Sequence, residues 1–134
     1  MPVKVLLDSN FLMMPAQFHV DVFQGIDAAI NARTEYVILS ETVEELKRLA
    51  AQPGRRGRAA QLALDLAKRC TVLPSRAKPG KSTDELILET AQEGRLIVAT
   101  NDSALKRRLR AVGIPVLYLR KKAYVAFQGA MSFT

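Results

Sequence analysis

Four acidic residues stand where carboxylate chemistry can be organised: Asp8, Glu45, Asp84 and Asp102. Asp8 closes a short apolar run, and Asp102 comes just after another. Glu45 falls one turn into a segment of helical spacing, and Asp84 lies in the first turn of a capped one. Like charges repel, so carboxylates gathered in one cleft are costly unless a cation joins them. A hard divalent ion such as Mg²⁺ or Mn²⁺ suits an all-oxygen donor set and retains waters of its own. Such a centre activates water and steadies the leaving oxygen of a phosphodiester. Each acid alone also has an ordinary structural use, as a turn residue after a strand, a helix N-terminal acid favoured by the dipole, or a partner for a lysine. Spacing alone leaves both readings open.

For the four to meet, the chain between them must fold back repeatedly. Val3–Leu7 reads as a buried strand. Residues 10–14 begin a helix that Pro15 is expected to interrupt, and 18–32 form a second, with Phe18, Val22, Phe23, Ile26, Ala29 and Ile30 at helical spacing. Residues 36–39 are a second strand. Ser40 is expected to cap a helix through about Ala51. Pro53-Gly54 breaks it, and helix resumes over 57–69, with Leu62 and Leu66 among its spaced positions. Thr71–Leu73 is a short third strand, and 76–81 read as an exposed basic loop. Ser82 with Glu85 fits a capping box opening a helix to about residue 93, which Gly94 closes. Residues 96–99 are the fourth strand, 102–111 a basic helix ended by Gly113, and 115–119 the fifth strand. The tail, 120–134, shows no clear element.

Strands alternating with helices imply an α/β chain: three layers, α/β/α, around a central parallel sheet of about five strands, in one domain over 1–134. Ligands of such sheets collect at the carboxyl ends of the strands, where strand order reverses. Asp8 and Asp102 both follow parallel strands and therefore share that rim.

The 134 residues carry 20 Lys+Arg against 13 Asp+Glu, a formal +7. The signs are segregated. Residues 47–81 hold ten basic residues and one acid (Asp65), and 106–122 hold seven basic residues and no acid, so most carboxylates lie elsewhere. That division suits acids that bind metal and bases that hold a polyanion, and it makes nucleic acid the first partner to consider. A single Cys excludes an internal disulfide and a structural zinc cluster. With no apolar run near 20 residues and no signal-peptide layout at the start, the expectation is a soluble, cytoplasmic protein with no membrane partner.

Arg48, three residues after Glu45, shares its helix face and is a candidate for the scissile phosphate. Arg55, Arg56 and Arg58 flank the Pro53-Gly54 break as a candidate phosphate-gripping arm. Lys106 and Arg107 open the second basic block. Each of these runs also serves as a solvated helix face. His19 and Cys70 read as structural. Tyr124 and Phe127 are candidates for stacking on bases, with a core or self-association contact as the plainer use.

The motifs together resemble one family. Asp8-Ser9-Asn10-Phe11-Leu12 is similar to the opening motif of PIN-domain nucleases, and Val43-Glu44-Glu45-Leu46-Lys47-Arg48-Leu49 to their second. Ser82-Thr83-Asp84-Glu85-Leu86-Ile87 resembles the third, and Val98-Ala99-Thr100-Asn101-Asp102 the fourth. The runs 105–110 and 113–116 are similar to the archaeal and eukaryotic branch that contains the small-subunit-processome endonuclease.

The resemblance implies a compact α/β/α PIN-like fold and Mg²⁺- or Mn²⁺-dependent cleavage of single-stranded RNA, with rRNA processing as one setting. Carried over singly, Asp8, Glu45, Asp84 and Asp102 become metal-coordinating catalytic acids. Ser9, Asn10 and Thr100 become neighbours that orient them. The pair Asp84-Glu85 supplies one ligand or two, with Asp84 favoured because Glu85 fits the cap. Two departures stand out: Ser103 occupies a place where the fourth motif often carries a further acid, and the 134 residues are expected to hold none of the extra domains of many processing nucleases. Substrate choice is then expected to depend on a homodimer or on a ribosome-assembly or antitoxin partner. The alternatives are a toxin-type ribonuclease of the same fold and a non-catalytic RNA-binding assembly module. A phosphoacceptor domain is set aside because the third strand ends Val72-Leu73-Pro74 without an acid.

Overall fold

A computed structural model describes residues 2–74 and 78–129. Six strands form one sheet: β1 (Val3–Leu7), β2 (Thr34–Leu39), β3 (Thr71–Leu73), β4 (Ile97–Ala99), β5 (Val116–Arg120) and β6 (Tyr124–Gln128). Their order across the sheet is β3-β2-β1-β4-β5-β6. Pairing is parallel from β3 through β5, and only β6 runs antiparallel, against β5. The six helices are α1 (Ser9–Phe18), α2 (Val22–Ile30), α3 (Ser40–Ala50), α4 (Gly54–Ala67), α5 (Thr83–Gly94) and α6 (Ser103–Ala111).

The strands are apolar on both faces because both are covered, as a parallel sheet requires. Alternation divides them: Val5, Leu7, Ile38, Ile97 and Ala99 face a core with side chains of α1 to α4. Leu6, Val37, Leu39, Val98 and Val116 face a second core with Leu86, Ile87, Leu105 and Leu109 of α5 and α6. The result is three layers with four helices on one side and two on the other. No helix among the described residues is long and apolar enough to cross a membrane.

The sheet has six strands rather than about five. The extra one comes from the tail, whose turn carries none of the usual hairpin residues. Lys121 and Lys122 instead take the left-handed conformation, at φ 54° and 55°. β6 is held against α2, where Gly25 leaves room for it: a Cβ there would sit 2.5 Å from Val125 Cγ2.

Pro15 does not interrupt α1. The backbone bond that its missing N–H forfeits is outweighed by burial of Phe11, Leu12 and Met13. The break comes at His19, left-handed at φ 54°, and Asp21 then caps α2 by accepting from Gln24 N at 3.1 Å. Ser40 is the first residue of α3 rather than its cap, since Leu39 holds the cap position without a side-chain bond. Helix α4 starts at Gly54, directly after Pro53. Ser82 does cap α5, accepting from Glu85 N at 3.2 Å, but Arg95 rather than Gly94 takes the left-handed closing position. Part of the 76–81 loop lies outside the described residues.

Candidate active site

β1 and β4 are neighbours at the point where strand order reverses, so the residues after them open onto one crevice. The ladder continues past both strands: Asp8 N donates to Ala99 O at 3.0 Å, and Thr100 N donates to Leu117 O at 3.0 Å. Asp8 is only 5 % exposed. Its Oδ1 accepts from Ser9 N at 2.8 Å as the cap of α1, and its Oδ2 accepts from Thr100 Oγ1 at 2.7 Å. The same threonine oxygen accepts from Asp102 N at 3.1 Å, so one hydroxyl ties the two aspartates' segments together.

Asp102 and Asp84 reach the crevice from helix N-terminal turns, and Glu45 from one turn further into α3. Asp102 caps α6, its Oδ1 accepting from Leu105 N at 2.9 Å. Glu45 is drawn to α1 by Ser9, whose Oγ donates to Glu45 Oε1 at 3.0 Å. Asp84 lies half-buried in the first turn of α5. Several helix N-termini thus point their partial positive charge at the same rim, which offsets part of the repulsion among the carboxylates.

The remaining repulsion is visible in the proton affinities. Burial pushes the Asp8 carboxyl up from 3.8 to about 6, against the lowering effect of the Thr100 and Ser9 hydrogen bonds, and the charges of Asp84 and Glu45 raise it further. Asp84 is also raised, first by burial and then by Asp102 and Glu45, with Arg108 opposing. Asp8 thus senses Asp84 and Glu45, and Asp84 senses Asp102 and Glu45, which links the four acids through Asp84. Glu85 turns elsewhere: Lys81 Nζ lies 3.9 Å from its Oε2.

Among the described residues, no three His, Cys, Asp or Glu side chains are arranged to enclose a metal ion. The donor set is nevertheless all oxygen, and it is buried at Asp8. Mg²⁺ is commonly bound through one or two carboxylates with several waters rather than in an all-protein cage. An ion held in that way fits these residues; a closed cage does not.

Ser9 and Asn10 are placed to orient their neighbours, Ser9 through Glu45 and Asn10 through its Oδ1, which accepts from Asn101 N at 3.1 Å. Asn101 is a residue to which sequence reasoning gave no role. Its side chain acts like one more rung of sheet, accepting from Leu119 N at 2.7 Å and donating to Leu119 O at 3.0 Å. That fixes the loop carrying Thr100 and Asp102. Arg108 was missed too, because a run of arginines on α6 does not say which one faces α5.

The basic candidates are scattered. Arg48 is exposed on α3, one turn beyond Glu45, and Arg107 is exposed on α6. Lys106 lies over the Tyr118 ring, 4.1 Å from its centroid. Arg55, Arg56 and Arg58 line a groove between α1 and α4. Phe127 packs half-buried against the core, whereas Tyr124 is 47 % exposed. Cys70 is half-buried against the core, where burial pushes its thiol up to about 11.

A family model described as a PIN-like domain matches residues 5–122. The chain belongs to that family. Ribonuclease VapC4 of Methanocaldococcus jannaschii is 36% identical to this PIN-like domain over 130 residues, spanning 94% of the chain and 97% of the relative. The rRNA-processing protein FCF1 of Saccharomyces cerevisiae is 33% identical over 127 residues, covering 92% of the chain but 64% of the yeast protein. Among solved structures, that of the PIN domain endonuclease Utp24 superposes with a TM-score of 0.81 at 29% identity, covering 99% of this chain and 96% of that one. β3 is an edge strand and not a middle one, so its lack of a terminal acid does not exclude a phosphoacceptor domain. Membership in the PIN-like family is what separates the two.

Proposed function

We propose that this PIN-like domain is a metal-dependent endonuclease that hydrolyses single-stranded RNA. The observation that carries the reading is the convergence of Asp8, Glu45, Asp84 and Asp102 on one crevice at the strand-order reversal, with Thr100 bonded to both the Asp8 carboxylate and the Asp102 backbone. Asp8, Glu45, Asp84 and Asp102 are the carboxylates that would hold Mg²⁺ or Mn²⁺. When bound, the ion supplies a polarised phosphoryl group and an acidified water. Ser9, Asn10, Thr100 and Asn101 hold the carboxylates in one arrangement, so little reorganisation is needed when charge develops on the phosphate. Arg48 on α3 and Arg107 on α6, both exposed, add positive charge that attracts the RNA backbone.

The test is cleavage of an unstructured RNA in Mn²⁺, in EDTA, and by Asp8→Asn. Activity in Mn²⁺ alone, lost in the variant, is the expected pattern. No turnover across varied substrates would leave the non-catalytic RNA-binding module. An independent readout is thermal: a metal that binds only the folded chain stabilises it by about 2.7 kcal/mol at a hundredfold excess over Kd. Millimolar Mn²⁺ therefore raises the melting temperature of the wild type and not of Asp8→Asn.

rRNA processing is the setting suggested by FCF1, with a ribosome-assembly partner. A second reading is favoured by the 36% identity to VapC4 over 97% of that relative: a ribonuclease controlled by an antitoxin-type partner. Cleavage of many unrelated RNAs supports the second; one preferred site in rRNA supports the first.

A further inference from the structure

The arginines of α4 and the α1 surface opposite them enclose a groove of about 810 Å³ that the acid crevice does not include. Arg55, Arg56 and Arg58 are all exposed along one wall, and none forms an ion pair among the described residues. Met13, Met14 and Leu62 supply apolar lining. Leu62 is 40 % exposed, although it sits at a position that helical spacing would assign to the core. The groove runs beside α1 from Asn10 to His19, about 13 Å by the helical rise. Asn10 is therefore its end nearest Asp8.

The wall is held firmly to the rest of the molecule. Gly57, between the second and third arginines, lies so close to the turn joining α3 to α4 that a Cβ there would collide with Gln52 O. Gln61 Nε2 also donates to Ala50 O at 3.2 Å. The backbone that presents the guanidiniums is fixed, while the side chains themselves remain unengaged.

We propose that this groove is the track along which a single RNA strand enters the acid crevice. The inference rests on the nuclease reading for its direction and names the substrate's path. Three guanidiniums lining one groove offer charge-assisted hydrogen bonds to a phosphate backbone, for which arginine's planar fork is suited. Methionine and leucine give unpaired bases a sequence-tolerant apolar contact, which a duplex cannot reach because its bases are stacked inside. An acidic peptide would satisfy the arginines as well. The groove delivers its occupant to Asp8, however, and a phosphodiester is the group that the crevice would consume.

The test is binding of a labelled unstructured RNA oligonucleotide in EDTA, across a salt series, with cleavage in Mn²⁺ scored separately. Each phosphate contact to a single strand contributes roughly 0.7 to the slope of log affinity against log salt. The triple change Arg55→Ala, Arg56→Ala, Arg58→Ala should lower that slope by about 2 and weaken binding at low salt by roughly tenfold or more. Changing Arg120, Lys121 and Lys122 to Ala removes equal charge at the β5–β6 turn and should leave the slope unchanged. Leu62→Glu places a carboxylate in the groove and should weaken binding without removing any arginine.

Equal effects of the two triple changes would show diffuse attraction and overturn the proposal. So would an unaltered RNA slope accompanied by lost binding of a poly-glutamate peptide, which would make the occupant an acidic segment. A wild type that binds RNA through the groove but never cleaves sinks the nuclease reading alone; one that cleaves with the arginines dispensable sinks the groove alone.

Discussion

At its start, α1 springs from a carboxylate that is 5 % exposed and held by two hydrogen bonds; along its length it faces arginines that are all exposed and, among the described residues, without an ion pair. The crevice and the groove are separated by little more than Asn10, yet they are built on opposite principles. In the crevice, residues from distant segments share hydrogen bonds, Asp8 with Thr100 and Ser9 with Glu45, and like charges are confined in a partly dry space. In the groove only the backbone is fixed. The difference is the one between positioning a reaction and gripping a flexible polymer. Chemistry gains from groups that do not reorganise, and a strand of varied sequence gains from side chains that do.

The sharpest way to break the comparison is to neutralise the crevice's central charge. Asp8→Asn should lower RNA cleavage by roughly 10³-fold, the scale on which a preorganised electrostatic contact acts. RNA affinity in EDTA should hold or improve, because a negative charge near the strand is gone. Loss of binding instead would mean that the two regions are not separable. The readouts are single-turnover cleavage and salt-dependent binding on the same preparations.

Next in size is the cost of confinement, visible through pH. The Asp8 carboxyl lies at about 6 when folded, against 3.8 for the unconstrained group. A raised value means that the protonated form is favoured by folding. Its contribution is therefore fully present below about 4 and is lost as pH rises through 6. Two units correspond to about 3 kcal/mol. Denaturant unfolding of the metal-free protein at pH 4 and pH 7 should show Asp8→Asn gaining on the wild type by up to that amount. A gap independent of pH would mean that Asp8 is not under charge strain.

Much of the crevice was legible in advance because strand–helix alternation dictates it. If β1 and β4 are parallel, Asp8 and Asp102 must share a rim, and a cap or first-turn position brings in Asp84. What the sequence withheld depends on orientation. The cap already favoured Asp84 over Glu85, but which arginine of α6 opposes Asp84 is a matter of helix rotation, and Asn101 acts through a neighbour 18 residues away. β6 was illegible because its turn uses two lysines at positive φ, where glycine or asparagine is the usual signal. The groove was invisible for a different reason. Leu62 has core spacing, and only the approach of α4 to α1 and α3 decides that it faces an open channel.

That approach is itself a target. Gly57→Ala sets a methyl against the Gln52 carbonyl, which is backbone and cannot swing away. Overpacking of this kind costs about 1–3 kcal/mol. The shift should fall on α4, weakening RNA binding by displacing the arginines, while Mn²⁺ still raises the melting temperature because the acids do not move. Equal damage to both functions would show that the crevice depends on α4 as well.

The smallest effect expected is at the hydroxyl that joins the crevice's two aspartate segments. Thr100→Val keeps the shape of a fully buried side chain while removing both of its hydrogen bonds. Leaving the Asp102 N–H and one Asp8 oxygen without that partner costs about 1–2 kcal/mol. The bond to Thr100 lowers the Asp8 carboxyl, so its loss should raise the proton affinity further and move the pH-dependent destabilisation to higher pH. Thr100→Ser restores the hydroxyl without the methyl and should return the pH profile while recovering only part of the stability. If Val and Ser behave alike, the threonine serves the core rather than the carboxylates, and the contrast between a wired crevice and a loose groove loses its main support.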